Sequence, residues 1–354
     1  MKKYEVEDLI DYIGKYKKIN EHNLKVIKKN IGMLQGMGAY PVKMNYPITL
    51  QFELTGTCNL SCKHCYNRSG DQDRETLMTP DKWCELSRQI VKDGGIFQCI
   101  LSGGEPLLLG NSLFDIMDIL HDDGTSFIVI TNAFLLTKEK VERFRKYRFL
   151  WFQISIDGAD RKTHDSFRGV DGSFDRAVTG AMEISNAGIP LVIAHSVTPF
   201  NLSQLDDMVD LAYQLGANSI IIGDIMPSGR AIENQEIILN ETQKNFLYEK
   251  IEKLRKEYAD KISVQRSSDL KSQMARYEIE VNQGGIIRPN GDFRIDCMAP
   301  FVIGNVLHER IKNMWIEKGI DAWESSKVQN YIASIDEVKD EGNIRNHVDQ
   351  DILI

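Results

Sequence analysis

The sequence predicts an α/β fold, a partial (β/α)6 TIM-like barrel, and two observations lead to this prediction. Short apolar runs with strand character alternate with helical segments six times between about residues 46 and 222, which is typical of a parallel sheet covered by helices. The repeat occupies roughly 180 residues, whereas a full eight-unit barrel typically needs about 250. Six units are therefore the preferred interpretation, and a full barrel is the alternative.

Changes in pattern divide the chain into four predicted segments. Apolar residues recur at helical spacing from Leu24 to Leu34, which favours helix near the start. Residues 286–295 indicate a hairpin, because Pro-Asn-Gly at its centre is a turn sequence. The expected segments are an N-terminal helical extension (1–46), the barrel (47–235), a bridging helical region (236–283) and a small α+β domain (284–354).

Composition narrows the classes of partner. The chain has 354 residues, with 43 basic and 51 acidic side chains and a formal charge of -8. These totals do not indicate a nucleic-acid-binding protein. No run of about 18 apolar residues occurs, and the first residues lack the apolar run of a secretion signal, so we expect a cytoplasmic protein with no membrane partner. In a reducing compartment, the six cysteines are expected to bind metal or do chemistry rather than form disulfides.

Three of these cysteines lie on one short loop after the first predicted strand. Cys58, Cys62 and Cys65 have the spacing C-x3-C-x2-C. Three thiolates can hold three irons of a cubane cluster and leave the fourth iron without a protein ligand, whereas electron-transfer clusters normally use four cysteines. A zinc site with His64 as the fourth ligand is the alternative, since structural zinc takes four ligands. The spacing alone leaves both interpretations open.

This motif, after a strand and followed by Tyr66 and Asn67, resembles the radical S-adenosylmethionine superfamily over about residues 46–230. The resemblance implies a partial barrel in which Cys58, Cys62 and Cys65 hold a [4Fe–4S] cluster and the protein binds S-adenosylmethionine. It also implies that the reduced cluster cleaves this cofactor to methionine and a 5′-deoxyadenosyl radical, which abstracts hydrogen from a substrate. An external low-potential electron donor, of the flavodoxin or ferredoxin kind, is then required.

Polar or glycine residues follow successive predicted strands, where ligands bind in α/β folds. Turns and helix caps explain such residues equally well when each is taken alone. With the resemblance, the expected cofactor-binding residues are Gly103, Gly104 and Glu105 at the cofactor's amino group, Thr131, Asn132, Ser155 and Asp157 near its ribose, Arg168 at its carboxylate, His64 near the adenine, and Arg230. The chain departs from the family pattern at Ala133, where relatives have glycine.

The C-terminal stretch from Gly291 to Trp315 resembles a SPASM or twitch domain, which normally carries additional clusters. Here Cys297 is the only cysteine after Cys99, so the domain looks degenerate and a single cluster is expected. Cys297 is open to three interpretations: a core residue, a catalytic hydrogen-atom donor, or a stray ligand.

The resemblance favours a ribosomally made peptide as substrate, modified by crosslinking or epimerisation. A small molecule, such as a sugar or amino-acid derivative, is the alternative substrate class. A zinc-binding or iron–sulfur structural protein is the non-enzymatic alternative.

Overall fold

The computed structural model describes residues 21–70, 77–268, 281–337 and 351–354. Part of the predicted N-terminal extension (1–20), of the bridging region (269–280) and of the C-terminal segment (338–350) lies outside the described residues. The described helices are α1 (Glu21–Gly36), α2 (Pro80–Lys92), α3 (Asn111–Asp122), α4 (Lys138–Phe144), α5 (Arg161–Arg168), α6 (Ser173–Asn186), α7 (Leu205–Gln214), α8 (Glu241–Glu257), α9 (Ile311–Met314) and α10 (Ser326–Glu337).

The described strands form one sheet. They are β1 (Thr49–Glu53), β2 (Gln98–Ser102), β3 (Ser126–Thr131), β4 (Phe149–Ser155), β5 (Leu191–Val197), β6 (Ser219–Asp224), β7 (Ser263–Arg266), β8 (Gly284–Ile287), β9 (Asp292–Arg294), β10 (Phe301–Asn305) and β11 (Ile352–Leu353). Their order is β11-β10-β9-β8-β1-β2-β3-β4-β5-β6-β7, with β11 and β7 at the two edges.

The centre of this sheet is parallel. Strands β1 to β7 pair in sequence order and in parallel, with helices in the connections. The predicted α/β class with a barrel-like parallel sheet is confirmed, and the sheet formed by the described strands is open rather than closed. Buried apolar side chains pack the helices against the strands. For example, the ring centroids of Trp83 in α2 and Phe52 in β1 are 4.8 Å apart.

Two parallel pairings lie beyond those of the six predicted strands. Strand β7 is in the segment expected to be helical, and β8 pairs in parallel with β1. In β7 only Val264 is buried, so the strand gives a short and weak apolar pattern. The pairing of β8 joins segments that are more than 200 residues apart, and local patterns carry no information about it.

The predicted C-terminal hairpin is present. Strand β8 pairs antiparallel with β9, and the turn between them is closed by a hydrogen bond of 2.9 Å from Gly291 N to Arg288 O. Gly291 has φ +91°, a conformation that favours glycine. Strands β10 and β11 extend the sheet outward, so the C-terminal segment continues the barrel sheet beside β1.

No helix in the described parts of the chain is both long and apolar enough to cross a membrane.

Candidate active site

The carboxyl ends of the parallel strands meet at one edge of the sheet and bring the predicted residues together. The loop that leaves β1, residues 54–70, carries the three cysteines, and we call it the cysteine loop. Gly103 follows β2, Thr131 ends β3, and the half-buried Ser155 ends β4. Residues that are distant in sequence therefore share one face.

Each sulfur of the cysteine loop accepts a hydrogen bond from a nitrogen donor. The donor–sulfur distances are 3.8 Å from Asn132 Nδ2 to Cys58, 3.6 Å from Arg168 Nη1 to Cys62, and 3.4 Å from Ser69 N to Cys65. Hydrogen bonds of this kind stabilise thiolate sulfur, the form that binds metal. Three thiols with matched donors fit an iron–sulfur cluster.

Burial holds Cys58 and Cys62 in the thiol form until a metal displaces the proton. It raises the pKa of Cys58 to about 11. Burial also raises the pKa of Cys62, against the opposing charge of Arg168. Metal binding must therefore release protons from this loop. In the described residues, no three His, Cys, Asp or Glu side chains converge on one point as ligands of a single ion, whereas cubane ligands bind separate irons.

Gly103 and Gly104 allow the chain after β2 to pass against the cysteine loop. A Cβ atom at Gly103 would lie 2.7 Å from Thr55 O, and one at Gly104 would lie 2.0 Å from Thr57 O. A side chain at either position would therefore collide with backbone. The two glycines therefore permit a close approach to the cysteine loop itself. This approach sets the position of the next residue, Glu105, relative to that loop.

Glu105 is fully buried and connects the ends of β2 and β3. Its carboxylate accepts hydrogen bonds from Thr131 Oγ1 at 2.6 Å, Asn132 N at 2.9 Å and Leu107 N at 3.0 Å. Burial raises the pKa of Glu105, and these donors oppose that change. The carboxylate thus holds Thr131 and Asn132 in place, and through Asn132 it is connected to Cys58.

Ala133 explains why glycine is the usual residue after the asparagine. Its φ is +58°, in the left-handed region that costs energy for residues with a Cβ. The Ala133 amide donates to Thr131 Oγ1 at 2.9 Å, and the Phe134 amide donates to Asn132 Oδ1 at 2.9 Å. The tight turn is therefore kept despite the substitution.

Asp157 and Arg168 form a buried ion pair beside the cysteine loop. Arg168 Nη2 lies 2.5 Å from Asp157 Oδ2, and the Ser196 amide donates to Asp157 Oδ1 at 2.7 Å. Burial acts to raise the pKa of Asp157, but the charge of Arg168 outweighs it and lowers that pKa to about 2. Arg168 therefore contacts both a carboxylate and the Cys62 sulfur, as a cation at the edge of a ligand pocket would.

His64 packs against an aromatic ring. Its imidazole stacks on Phe167 with centroids 4.5 Å apart and planes inclined by 6°. Burial lowers the pKa of His64 to about 4, so the ring is neutral at pH 7. A flat neutral ring in this position suits stacking on another planar group.

Arg230 holds the cysteine loop by its backbone. Its guanidinium donates to Cys62 O and to Ser69 O, each at 2.9 Å. Its amide donates to Cys65 O at 3.0 Å. Arg230 therefore stabilises the conformation of the cysteine loop through three backbone carbonyl groups.

Cys297 lies half-buried in the connection between β9 and β10. Burial raises the pKa of its thiol well above the ordinary value, with Asp296 and Glu53 contributing in the same direction. Burial therefore keeps this thiol protonated at neutral pH.

One polar group at this edge was not predicted from the sequence. Glu53, the last residue of β1, is buried and accepts hydrogen bonds from Tyr66 Oη and Asn67 Nδ2, each at 2.9 Å. Arg288 Nε lies 3.6 Å from Glu53 Oε2, and Arg288 Nη1 lies 2.6 Å from Asp351 Oδ2. In the sequence, the signal for Glu53 is its position, because it is a carboxylate at the end of a buried strand shortly before the cysteine motif.

Two curated relatives share sequence with this chain. The AdoMet-dependent heme synthase of Methanosarcina barkeri is 35% identical over 193 residues, which cover 54% of this chain and 55% of the relative. The subtilosin biosynthesis protein AlbA of Bacillus subtilis, named for an antilisterial bacteriocin, is 26% identical over 273 residues, covering 76% and 59%. The chain thus spans little more than half the length of these relatives.

A solved structure shares the fold. SuiB of Streptococcus suis, bound to S-adenosylmethionine, superimposes with a TM-score of 0.64 at 16% identity, covering 91% of this chain and 77% of SuiB. The family model of the radical SAM superfamily matches residues 52–212, from β1 to α7. The matched segment contains the cysteine loop, Glu105, Asp157 and Arg168. Residues 52–212 therefore match the radical SAM superfamily and form a radical SAM domain.

Proposed function

We propose that this chain is a radical SAM enzyme that reductively cleaves S-adenosylmethionine and abstracts a hydrogen atom from a peptide substrate. The observation that carries this proposal is the cysteine loop, in which three thiols each face a nitrogen donor at the sheet edge. The radical SAM superfamily implies an iron–sulfur cluster and S-adenosylmethionine. When bound by Cys58, Cys62 and Cys65, one [4Fe–4S] cluster would supply the electron that breaks the cofactor's C5′–S bond.

The surrounding residues would bind and orient the cofactor. The buried Glu105 offers a carboxylate for an ammonium group, and Arg168 offers a guanidinium for a carboxylate. Thr131, Asn132, Ser155 and Asp157 lie at strand ends where hydroxyl groups of a ribose can be held, and the neutral His64 ring suits stacking on adenine. Arg230 keeps the loop in place through its carbonyl groups. A low-potential flavodoxin- or ferredoxin-like protein would deliver the electron.

A peptide is the substrate class that the relatives favour. AlbA, whose name assigns it to the biosynthesis of a bacteriocin, aligns with 76% of this chain. Epimerisation or crosslinking of a ribosomally made peptide fits this class.

A small-molecule substrate is the second candidate. The heme synthase of M. barkeri is more similar over the residues it matches, at 35% identity. Its alignment covers 54% of the chain, about as much as the radical SAM domain spans. The AlbA alignment extends over more of the chain, and this favours the peptide.

The test is anaerobic reconstitution followed by reduction with dithionite in the presence of S-adenosylmethionine. We expect about four irons per chain and release of 5′-deoxyadenosine, measured by liquid chromatography and mass spectrometry. Colourless protein that contains only zinc and releases no 5′-deoxyadenosine would contradict the proposal. Co-expression with a small peptide encoded beside the gene then tests the substrate class, by a change in the mass or chirality of that peptide.

Cys297 is proposed as a hydrogen-atom donor to the substrate radical. A donor must be protonated, and burial raises the pKa of this thiol well above its ordinary value. We expect Cys297→Ala to abolish an epimerised product while 5′-deoxyadenosine is still formed, because the donor acts after hydrogen abstraction. An unchanged amount of epimerised peptide in this variant would refute the role.

A further inference from the structure

The outer edge of the sheet beside the cysteine loop is covered by a short strand from the end of the sequence. Strand β11 pairs in parallel with β10, through Ile352 N to Pro300 O at 2.6 Å and Ile354 N to Val302 O at 3.0 Å. The side chains of Ile352 and Leu353 are exposed. Main-chain hydrogen bonds therefore hold Ile352 and Leu353, while the half-buried Ile354 packs against the core. The main-chain bonds can be made by any extended peptide.

A side-chain contact gives this edge its chemical preference. Arg288 Nη1 lies 2.6 Å from Asp351 Oδ2, and Arg294 Nε lies 3.5 Å from Asp351 Oδ1. Both arginine side chains are almost completely buried, at 7% and 2% exposure, whereas Asp351 is 24% exposed. Two buried guanidinium groups that face one carboxylate select an acidic residue.

The attachment of this strand is short, with two residues paired to β10. Burial raises the pKa of Asp351 although Arg288 and Arg294 act in the opposite direction. The cost of burying this carboxylate therefore exceeds the gain from its attraction to the two guanidinium groups. The strand has two residues, and a two-residue pairing contributes little stability. The strand is thus suited to displacement by a competitor that offers the same contacts.

The site is connected to the cysteine loop. Arg288 also contacts Glu53, and Glu53 accepts hydrogen bonds from Tyr66 and Asn67 within the loop. A peptide held at this edge would therefore have its acidic residue connected to Tyr66, which follows Cys65, through Arg288 and Glu53.

We propose that the edge of β10, together with Arg288 and Arg294, is a docking site for an extended peptide that carries an acidic residue followed by apolar residues. Residues 351–354 occupy this site as an internal competitor. The inference rests on the proposed function, because it assigns a binding mode to the peptide substrate. A tethered strand competes at an effective concentration of about millimolar, so a free peptide must bind well or the strand must first be released.

The test measures fluorescence anisotropy of a labelled peptide, fluorescein-Gly-Gly-Asp-Ile-Leu-Ile-amide, with the reconstituted full-length chain. Asp351→Asn removes the carboxylate that the arginines hold, so we expect the peptide to bind this variant at least ten times more tightly than the wild type. Leu353→Asn is the matched control, because that side chain is exposed, and its affinity should stay within twofold of wild type. A second peptide with Asn in place of Asp should bind Asp351→Asn at least five times more weakly.

Equal affinities for wild type and Asp351→Asn, or equal affinities of the two peptides, would overturn the inference. If circular dichroism shows that Asp351→Asn is unfolded, Ile352→Pro replaces it, since proline removes the N–H that bonds to Pro300 O. Release of 5′-deoxyadenosine is measured on the same preparations. A chain that forms 5′-deoxyadenosine but fails the peptide test overturns this inference alone, whereas a chain that binds the peptide without forming 5′-deoxyadenosine overturns the proposed function.

Discussion

Two ion pairs lie near the cysteine loop, one in the β1–β6 part of the fold and one in the β8–β11 part. The two pairs differ in how far they are buried and in how far apart their residues are in the sequence. Asp157 and Arg168 are 0% and 8% exposed, and they are 11 residues apart in the sequence. Arg288 and Asp351 are 7% and 24% exposed, and they are 63 residues apart. The first pair is a closed part of the radical SAM domain, and the second is an open contact with an exchangeable partner.

The largest effect is expected in the cysteine loop itself. Cys62→Ser removes one of the three proposed ligands, so the iron content should fall from about four to less than about one per chain. Cys84→Ser is the matched control, because Cys84 is a buried residue of α2 outside the loop, and it should retain the iron. Iron is measured by colorimetric assay after anaerobic reconstitution. Retention of the full iron content in Cys62→Ser would place the cluster elsewhere.

The second effect concerns the closed ion pair. Arg168→Leu leaves the Asp157 carboxylate buried without its cation, which should lower the free energy of unfolding by about 3–5 kcal/mol. Arg161→Ala is the control in the same helix, since Arg161 pairs with Asp175 on the surface and should change stability by less than about 1 kcal/mol. Urea unfolding of both variants measures the difference. Equal losses in the two variants would show that the buried pair has no special weight.

The smallest effect is expected for the open ion pair. Asp351→Asn removes the charged hydrogen bond from Arg288 and leaves the contact between Arg288 and the buried Glu53 in place, which should cost about 1–3 kcal/mol. Lys43→Ala breaks an exposed pair with Asp321 and serves as the reference, with a loss of less than about 1 kcal/mol. If Asp351→Asn costs as much as Arg168→Leu in urea unfolding, then the C-terminal pair is as fixed as the first, and the proposed displacement of β11 is contradicted.

The parts of the fold that the sequence predicts depend on local patterns. Short apolar runs predict the strands from β1 to β6, and the turn sequence Pro-Asn-Gly at residues 289–291 predicts the hairpin. Strand β7 is missed because one buried residue in four gives no clear alternation. The parallel pairing of β8 with β1 is missed because it depends on contacts between distant segments.

The candidate site divides in the same way. The cysteine spacing and the Gly-Gly-Glu sequence are compact motifs, so their proximity could be predicted from the strand order. The contact of Gly103 and Gly104 with the backbone of the cysteine loop could not, since it depends on how two loops pack. The Glu53–Arg288–Asp351 connection joins β1, β8 and β11, and nothing local in the sequence marks these residues as partners.

The most direct test of the central claim is electron paramagnetic resonance of the reduced, reconstituted protein with and without S-adenosylmethionine. The three proposed cysteine ligands would leave one iron open, so the cofactor should bind that iron and shift the g values of a reduced [4Fe–4S] cluster. The account predicts this shift in the wild type and no cluster signal in Cys62→Ser. A cluster signal that S-adenosylmethionine leaves unchanged, or a wild-type protein that holds zinc and no iron, would contradict it.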